Sequence, residues 1–466
     1  MTTSRLKRAL AAALAGGAAL LASAQAAGAQ APGAPGIGDP YFPGSGNGGY
    51  EVDHYDLQLA FAARKGRIRS TATIDATSTQ ALSAFNLDLR GLKVRSVSVD
   101  GAPAGFRHRG GELTVIPAAP IAGGAPFRAV VAYGGRPKPV DDRSGFPTGW
   151  IPTSDGALVA SEPTGSPSWF PCNDHPTDKA SYSFTVSVPR GLKAMANGSL
   201  EAVRHDRRST TFVWREFEPM ATYLATVTTG KFKLRSGVAA GFPSWVAIEP
   251  NRTARASRRA VSHLPEVITR LGAQFGTYPF SSTGVIVDSE GPGYILENQT
   301  RPLFGETARK IIVVHEMAHQ WFGDDVSVRH WADIWLNEGF ATWTEWWWRS
   351  GGSDPKLRRT FKDIYSTPGG AGYLWRVPPG APGPRKLFSY AVYYRGALTV
   401  EALRQTIGDA AFYELLRRWI ADHHFGNAST ADFISLAQTV SGRDLSRFFD
   451  AWLYERSKPL PVEWRQ

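Results

Sequence analysis

Apolar and polar residues alternate with a period of two in the first half of the chain, as in Tyr55, Leu57, Leu59 and Phe61, and again in Tyr182, Phe184, Val186 and Val188. A two-residue period puts every second side chain on one face of an extended strand, so these runs predict half-buried β-strands from Tyr50 to about residue 250. The pairs Asp100-Gly101 and Asn197-Gly198 between such runs are hairpin turn signals. Together they predict an N-terminal antiparallel β-sandwich, preceded by an extended Gly-, Pro- and Ala-rich lead-in over residues 30 to 48.

From about residue 255 the period becomes helical. Candidate helices are RRAVSHLPEVITRLGAQFG, IIVVHEMAHQWFG, WADIWLNEGFATWTEWWW, YRGALTVEALRQTIG, AAFYELLRRWIADHH and ADFISLAQTV, with one short strand around GVIVDS. Ser429-Thr430 reads as the N-cap of the last of these and Gly442 as its end. The Gly/Pro-rich stretch 367–385 follows the tryptophan-rich segment, and it reads as a border of the cleft or as a plain surface loop. The fold class expected is α+β, a β domain over 30–250 followed by a mainly helical domain over 251–466.

Composition adds a compartment. Arg5, Lys7 and Arg8 precede a run of 14 small and apolar residues and then ASAQAAGAQA, the pattern of a secretory signal peptide over residues 1–29. At about 1.5 Å per residue the run is too short for a bilayer of about 30 Å, which predicts export and release; an uncleaved signal would instead tether the protein to the envelope. Cys172 is the single cysteine, so no intramolecular disulfide forms and a buried thiol is expected. The net charge of +11 falls to about +8 without the three basic signal residues, and it is spread along the chain. No cluster of Lys and Arg interleaved with aromatics is present, which excludes a nucleic-acid partner. The sequence carries no mark of oligomeric state.

The chemistry lies in two helical segments. Four residues turn a helix by about 400°, so His315 and His319 return to one face and can grip one metal ion. Glu316, about 100° away, is placed to act as a base toward a water on the open metal position. A catalytic zinc takes three protein ligands, and Glu338, nineteen positions after His319, is the candidate third. Glu345 comes seven residues later on the same face, either to orient a ligand histidine or as a solvated helix residue.

HEMAHQWFG together with WLNEGFATWTE resembles the gluzincin zinc aminopeptidases, the family of alanyl aminopeptidase and leukotriene hydrolase. The resemblance runs from about residue 48 to near the C-terminus, where the family's catalytic domain also ends. It implies a saddle-like β domain, a thermolysin-like catalytic domain, one Zn2+ per chain and peptide substrates with a free N-terminus. The family's Gly-Ala-Met-Glu-Asn motif corresponds to GYILENQTRPLF, keeping Glu297 and Asn298 as substrate-binding residues but carrying Tyr294 and Leu296 for Gly and Met. By the same resemblance Glu162, upstream of FPCNDHP, is a second amine anchor, with Ala160 where relatives often have Gln. In AVYYRGAL the oxyanion donor is Tyr393, with Arg395 for the family Lys, and Tyr390 and Tyr394 as neighbours. The readings to be separated are an aminopeptidase, a secreted zinc endopeptidase, and an inactive peptide-binding protein on the same scaffold.

Overall fold

The structure is a computed structural model, and it describes residues 30–141, 145–288, 290–291, 293–367 and 371–460, without the side chains of 371 and 372. The expected signal segment, 1–29, lies outside the described residues.

The period-two runs are strands of one eight-stranded sheet. Tyr50–Ala62 buries Tyr55, Leu57, Leu59 and Phe61, and Lys179–Pro189 buries Tyr182, Phe184, Val186 and Val188. Their pairing departs from the antiparallel expectation. Tyr182 lies opposite Tyr55 and Phe184 opposite Leu57 in parallel register, so both apolar sets share a face. Parallel neighbours need a long crossover, and the intervening chain supplies it by building parts of two further sheets.

Asp100 and Gly101 both have positive φ and join Lys93–Val99 to its antiparallel partner Ala102–Pro103, as a tight hairpin turn requires. Asn197-Gly198 does something else. The strands on either side, Lys193–Ala196 and Ser199–His205, belong to different sheets, so the pair is a crossing and not a hairpin. Gly198 has φ +78, and a Cβ there would lie 1.9 Å from the carbonyl oxygen of Arg215.

The boundary expected at residue 250 lies after two strands that join the second half. Lys233–Ala239 and Phe242–Ile248 form a five-stranded sheet with Thr283–Val287, Leu303–Phe304 and Ile295–Leu296, so the sheets of the β domain end at Gly230. The first helical stretch is two helices, Ala254–Val261 and Leu264–Phe275, because Pro265 sits in the first turn of the second and cannot continue the first. Asp354–Ser366 is an additional helix between the tryptophan-rich segment and the 367–385 stretch. Thr430–Ser441 has the expected ends: Ser429 forms a capping box with Asp432, and Gly442 closes the helix with φ +66. Cys172 is a buried free thiol. Among the described residues no helix is long and apolar enough to cross a membrane.

The two halves are joined by buried polar bonds. The Asn197 side chain donates to the carbonyls of Leu224 and Gln299, at 3.0 and 2.6 Å, and accepts from the Thr226 amide. The lead-in is a second tie. The Asp39 carboxylate accepts from the amides of Tyr41, Phe42 and Trp331, and the Tyr41 hydroxyl accepts from the Gly383 amide.

Candidate active site

Lys310–His319 and Trp335–Ser350 pack together and bring His315, His319 and Glu338 to one point. Both histidines are fixed from behind. His319 donates through Nδ1 to the Phe322 carbonyl at 3.1 Å, and His315 donates through Nδ1 to Glu345 Oε1 at 3.0 Å. Each ring therefore turns its Nε2 to the other side, the nitrogen a metal would take. These atoms lie 3.4 and 3.5 Å from Glu338 Oε2, a buried oxygen with no hydrogen-bond partner. An orphaned carboxylate oxygen facing two imidazole nitrogens fits a divalent cation, and the donor set suits zinc.

The electrostatics agree. Burial alone would raise Glu338, but the charges of the facing histidines, His319 foremost, outweigh it and bring its carboxyl down to about 2. Burial would likewise lower both histidines, yet the surrounding carboxylates hold them above the ordinary imidazole range. The pocket favours positive charge.

Glu316, on the same helix as the histidines, groups with Glu297 and His319, with donor atoms within 4.8 Å of one another. Burial pushes its carboxyl up to about 8, and His315 and His319 oppose the rise. A carboxylate poised near neutrality suits a group that must take and return a proton. Glu297 follows the strand Ile295–Leu296, and its carbonyl accepts from Gln320 Nε2 at 2.9 Å. Glu162 comes from the β domain, after the strand Ala157–Ala160. Glu162 and Glu297 each have a buried oxygen without a partner, and burial raises both carboxyls.

These residues line one cleft of about 390 Å³ between the two halves, together with Phe146, Thr148, Glu306, Ile312, Thr342, Phe388, Tyr393 and Tyr394. Tyr393 stacks on His315 with ring centroids 6.2 Å apart. It stands on a π-helical turn, Ala391–Arg395, of a kind frequent at functional sites. The helix that follows approaches the tryptophan-rich helix through glycines: a Cβ on Gly339 would lie 2.9 Å from the Gly396 backbone. Tyr390 is half exposed and stacks on Tyr394 at 4.0 Å.

Three neighbours of the site are placed as follows. Asn298 is fully buried and does not line the cleft, while Glu297 beside it does. Arg395 turns away from the site: its guanidinium donates to the carbonyls of Trp452, Trp375, Ala451 and Glu455 and holds the C-terminal segment. No described residue of 367–385 lines the cleft, although Phe388, just beyond, does. Thr342, four residues after Glu338 on the same helix face, was recoverable from spacing alone. Tyr294 reaches across the cleft mouth to donate to the Pro147 carbonyl at 2.7 Å.

The model of the peptidase family M1 domain matches residues 294–366 and 380–452, and that of the peptidase M1 N-terminal domain matches residues 51–224. The chain belongs to peptidase family M1. This M1 chain is 27% identical over 337 residues to the tricorn protease-interacting factor F2 of Thermoplasma volcanium, 66% of this chain and 42% of the relative. It is 23% identical over 440 residues to a leucyl aminopeptidase of Saccharolobus solfataricus, 88% of this chain and 54% of the relative. It thus spans about half the length of these curated relatives. Among solved structures it is similar to an M1 zinc metallopeptidase from Deinococcus radiodurans, seen as a glutamate-to-alanine mutant bound to a Tyr-Ser-Ala substrate. That match has TM-score 0.82 and 27% identity, covering 92% of this chain and 100% of the other.

Proposed function

We propose that this protein is a zinc-dependent aminopeptidase that removes residues from the free N-terminus of peptides. The observation that carries this reading is the pair of buried, unpartnered carboxylate oxygens on Glu162 and Glu297, which line the same cleft as the metal-binding trio. Two desolvated carboxylates at that place call for a cation, and a substrate α-ammonium supplies one by charge-assisted hydrogen bonds. The metal would be held by His315, His319 and Glu338. When bound, zinc supplies Lewis acidity for the scissile carbonyl and for water.

The chain's own groups do the rest. Glu316 takes a proton from the attacking water and returns it to the leaving amine, for which its buried, raised carboxyl is suited. Tyr393 keeps its phenol proton, since burial and then the charge of Glu338 raise its pKa, and so serves as a hydrogen-bond donor to the developing oxyanion. Glu345 keeps the His315 ring aligned through Nδ1. The leucyl aminopeptidase relative and the peptide-bound structure support the same reaction class. The basic and then apolar N-terminal pattern supports export from the cell, which N-terminal sequencing of protein from culture medium checks.

The test compares free and N-acetylated aminoacyl-arylamides with zinc-loaded and chelated protein. Zinc-dependent cleavage of the free-amine compounds alone is expected, and Glu316→Gln should retain zinc while losing turnover by about a hundredfold or more. Cleavage of blocked peptides would instead indicate an endopeptidase; bound zinc with no hydrolysis would indicate a binding protein.

A further inference from the structure

We propose that the cleft selects substrates by charge, accepting a basic or neutral residue after the first and rejecting both acidic residues and free dipeptides. This deepens the aminopeptidase reading and rests on it. Six glutamates line the cleft, Glu162, Glu297, Glu306, Glu316, Glu338 and Glu345, and among the described lining residues none is Lys or Arg.

The cations that accompany these carboxylates stand outside. Arg349 reaches Glu345 at 3.0 Å and Arg309 reaches Glu306 at 3.6 Å, with side chains 56% and 66% exposed, and neither lines the cleft. The buried unpartnered oxygens of Glu162 and Glu297, the anchors assigned to the α-ammonium, belong to the same acidic lining. Glu306, 45% exposed and held only by a long pair to Arg309, is the carboxylate left to meet a second substrate cation.

A substrate carboxylate meets the opposite situation. The side chain of Asp or Glu in the second position, or the terminal carboxylate of a dipeptide, lies a few bonds from the scissile carbonyl. It enters a cleft lined by six glutamates, with no Lys or Arg among the described lining residues to receive it, where fields are screened less than in open water. The effect is local, since the whole chain carries +11.

The experiment measures kcat/KM of the zinc-loaded protein on Leu-Lys-amide, Leu-Gln-amide, Leu-Glu-amide and the free dipeptide Leu-Gln. Leu-Lys-amide should exceed Leu-Glu-amide by about tenfold or more, and Leu-Gln-amide should exceed free Leu-Gln similarly, both ratios shrinking as salt is raised. Glu306→Gln should lower the Lys/Glu ratio by several-fold; an unaltered ratio in that variant overturns the part given to Glu306. Equal turnover of the three amides by an active enzyme overturns the proposal. Failure of every free-amine compound sinks the aminopeptidase reading itself, so the two failures are distinguishable.

Discussion

Removing the charge of Glu345 should weaken zinc binding without unfolding the protein. Its Oε1 accepts the Nδ1 proton of His315 at 3.0 Å and its Oε2 is held by Arg349 at 3.0 Å, so the carboxylate fixes the ring whose Nε2 faces the metal position. Loss of such a partner typically costs 10- to 100-fold in metal affinity, about 1.4 to 2.8 kcal/mol. Glu345→Gln keeps an oxygen acceptor and loses only the charge, which predicts the low end, about tenfold. Glu345→Ala also frees the ring, which predicts the high end, about a hundredfold. Competition with a chromophoric chelator gives the zinc dissociation constants, and melting of the zinc-free proteins reports the fold separately. If both variants bind zinc within about threefold of the parent, or Gln binds more weakly than Ala, the part given to Glu345 is wrong.

Two other buried groups give independent tests. Asp174 has one oxygen on the Thr222 hydroxyl at 2.7 Å and the other without a partner, and burial, then the charge of Asp88, pushes its carboxyl up to about 8. The folded protein thus holds this proton more tightly than the unfolded chain, whose carboxyl titrates near about 4, so stability is lost as pH rises from about 4 to 8, by up to about 1.4 kcal/mol per unit. Asp174→Asn should therefore raise the melting temperature more at pH 8.5 than at pH 5, and equal shifts at both would count against the assignment. Arg395→Lys replaces a fork serving four backbone carbonyls with one ammonium, which predicts a loss of about 2 to 4 kcal/mol in denaturant unfolding. An unchanged midpoint would show that the C-terminal segment is held by packing alone.

The metal centre was legible because helix geometry ties spacing to direction: His315 and His319 had to share a face, and Glu345 had to share one with Glu338. Strands were legible for the same kind of reason, and Tyr55 to Phe61 buried as the alternation required. Partnership was not. Local alternation contains nothing about which strand lies alongside, so the parallel pairing of Tyr50–Ala62 with Lys179–Pro189 was hidden. Asn197-Gly198 carries a hairpin's residue types yet crosses between sheets, since positive φ and a side-chain amide serve either purpose. Asp354–Ser366 carries ordinary helix signals, Pro355 in its first turn and the buried Leu357 and Phe361 four apart. The π-helical turn that seats Tyr393 has no such signature, because a single turn of altered hydrogen bonding is too short to set a period of its own.

The lead-in gives the first twenty residues after position 30 an importance that their glycine-rich composition conceals. Asp39 ties the β half to Trp331, and Tyr41 ties it to Gly383, so this ribbon is a clasp between halves that share the catalytic cleft. A protease that trims the chain near residue 30 leaves the clasp intact, while one that cuts near residue 45 strips Asp39 and Tyr41 from the covalent chain. The two products would differ in mass by only a little. They would differ in how the cleft is held together, because Glu162 sits on one half and His315, His319 and Glu338 on the other.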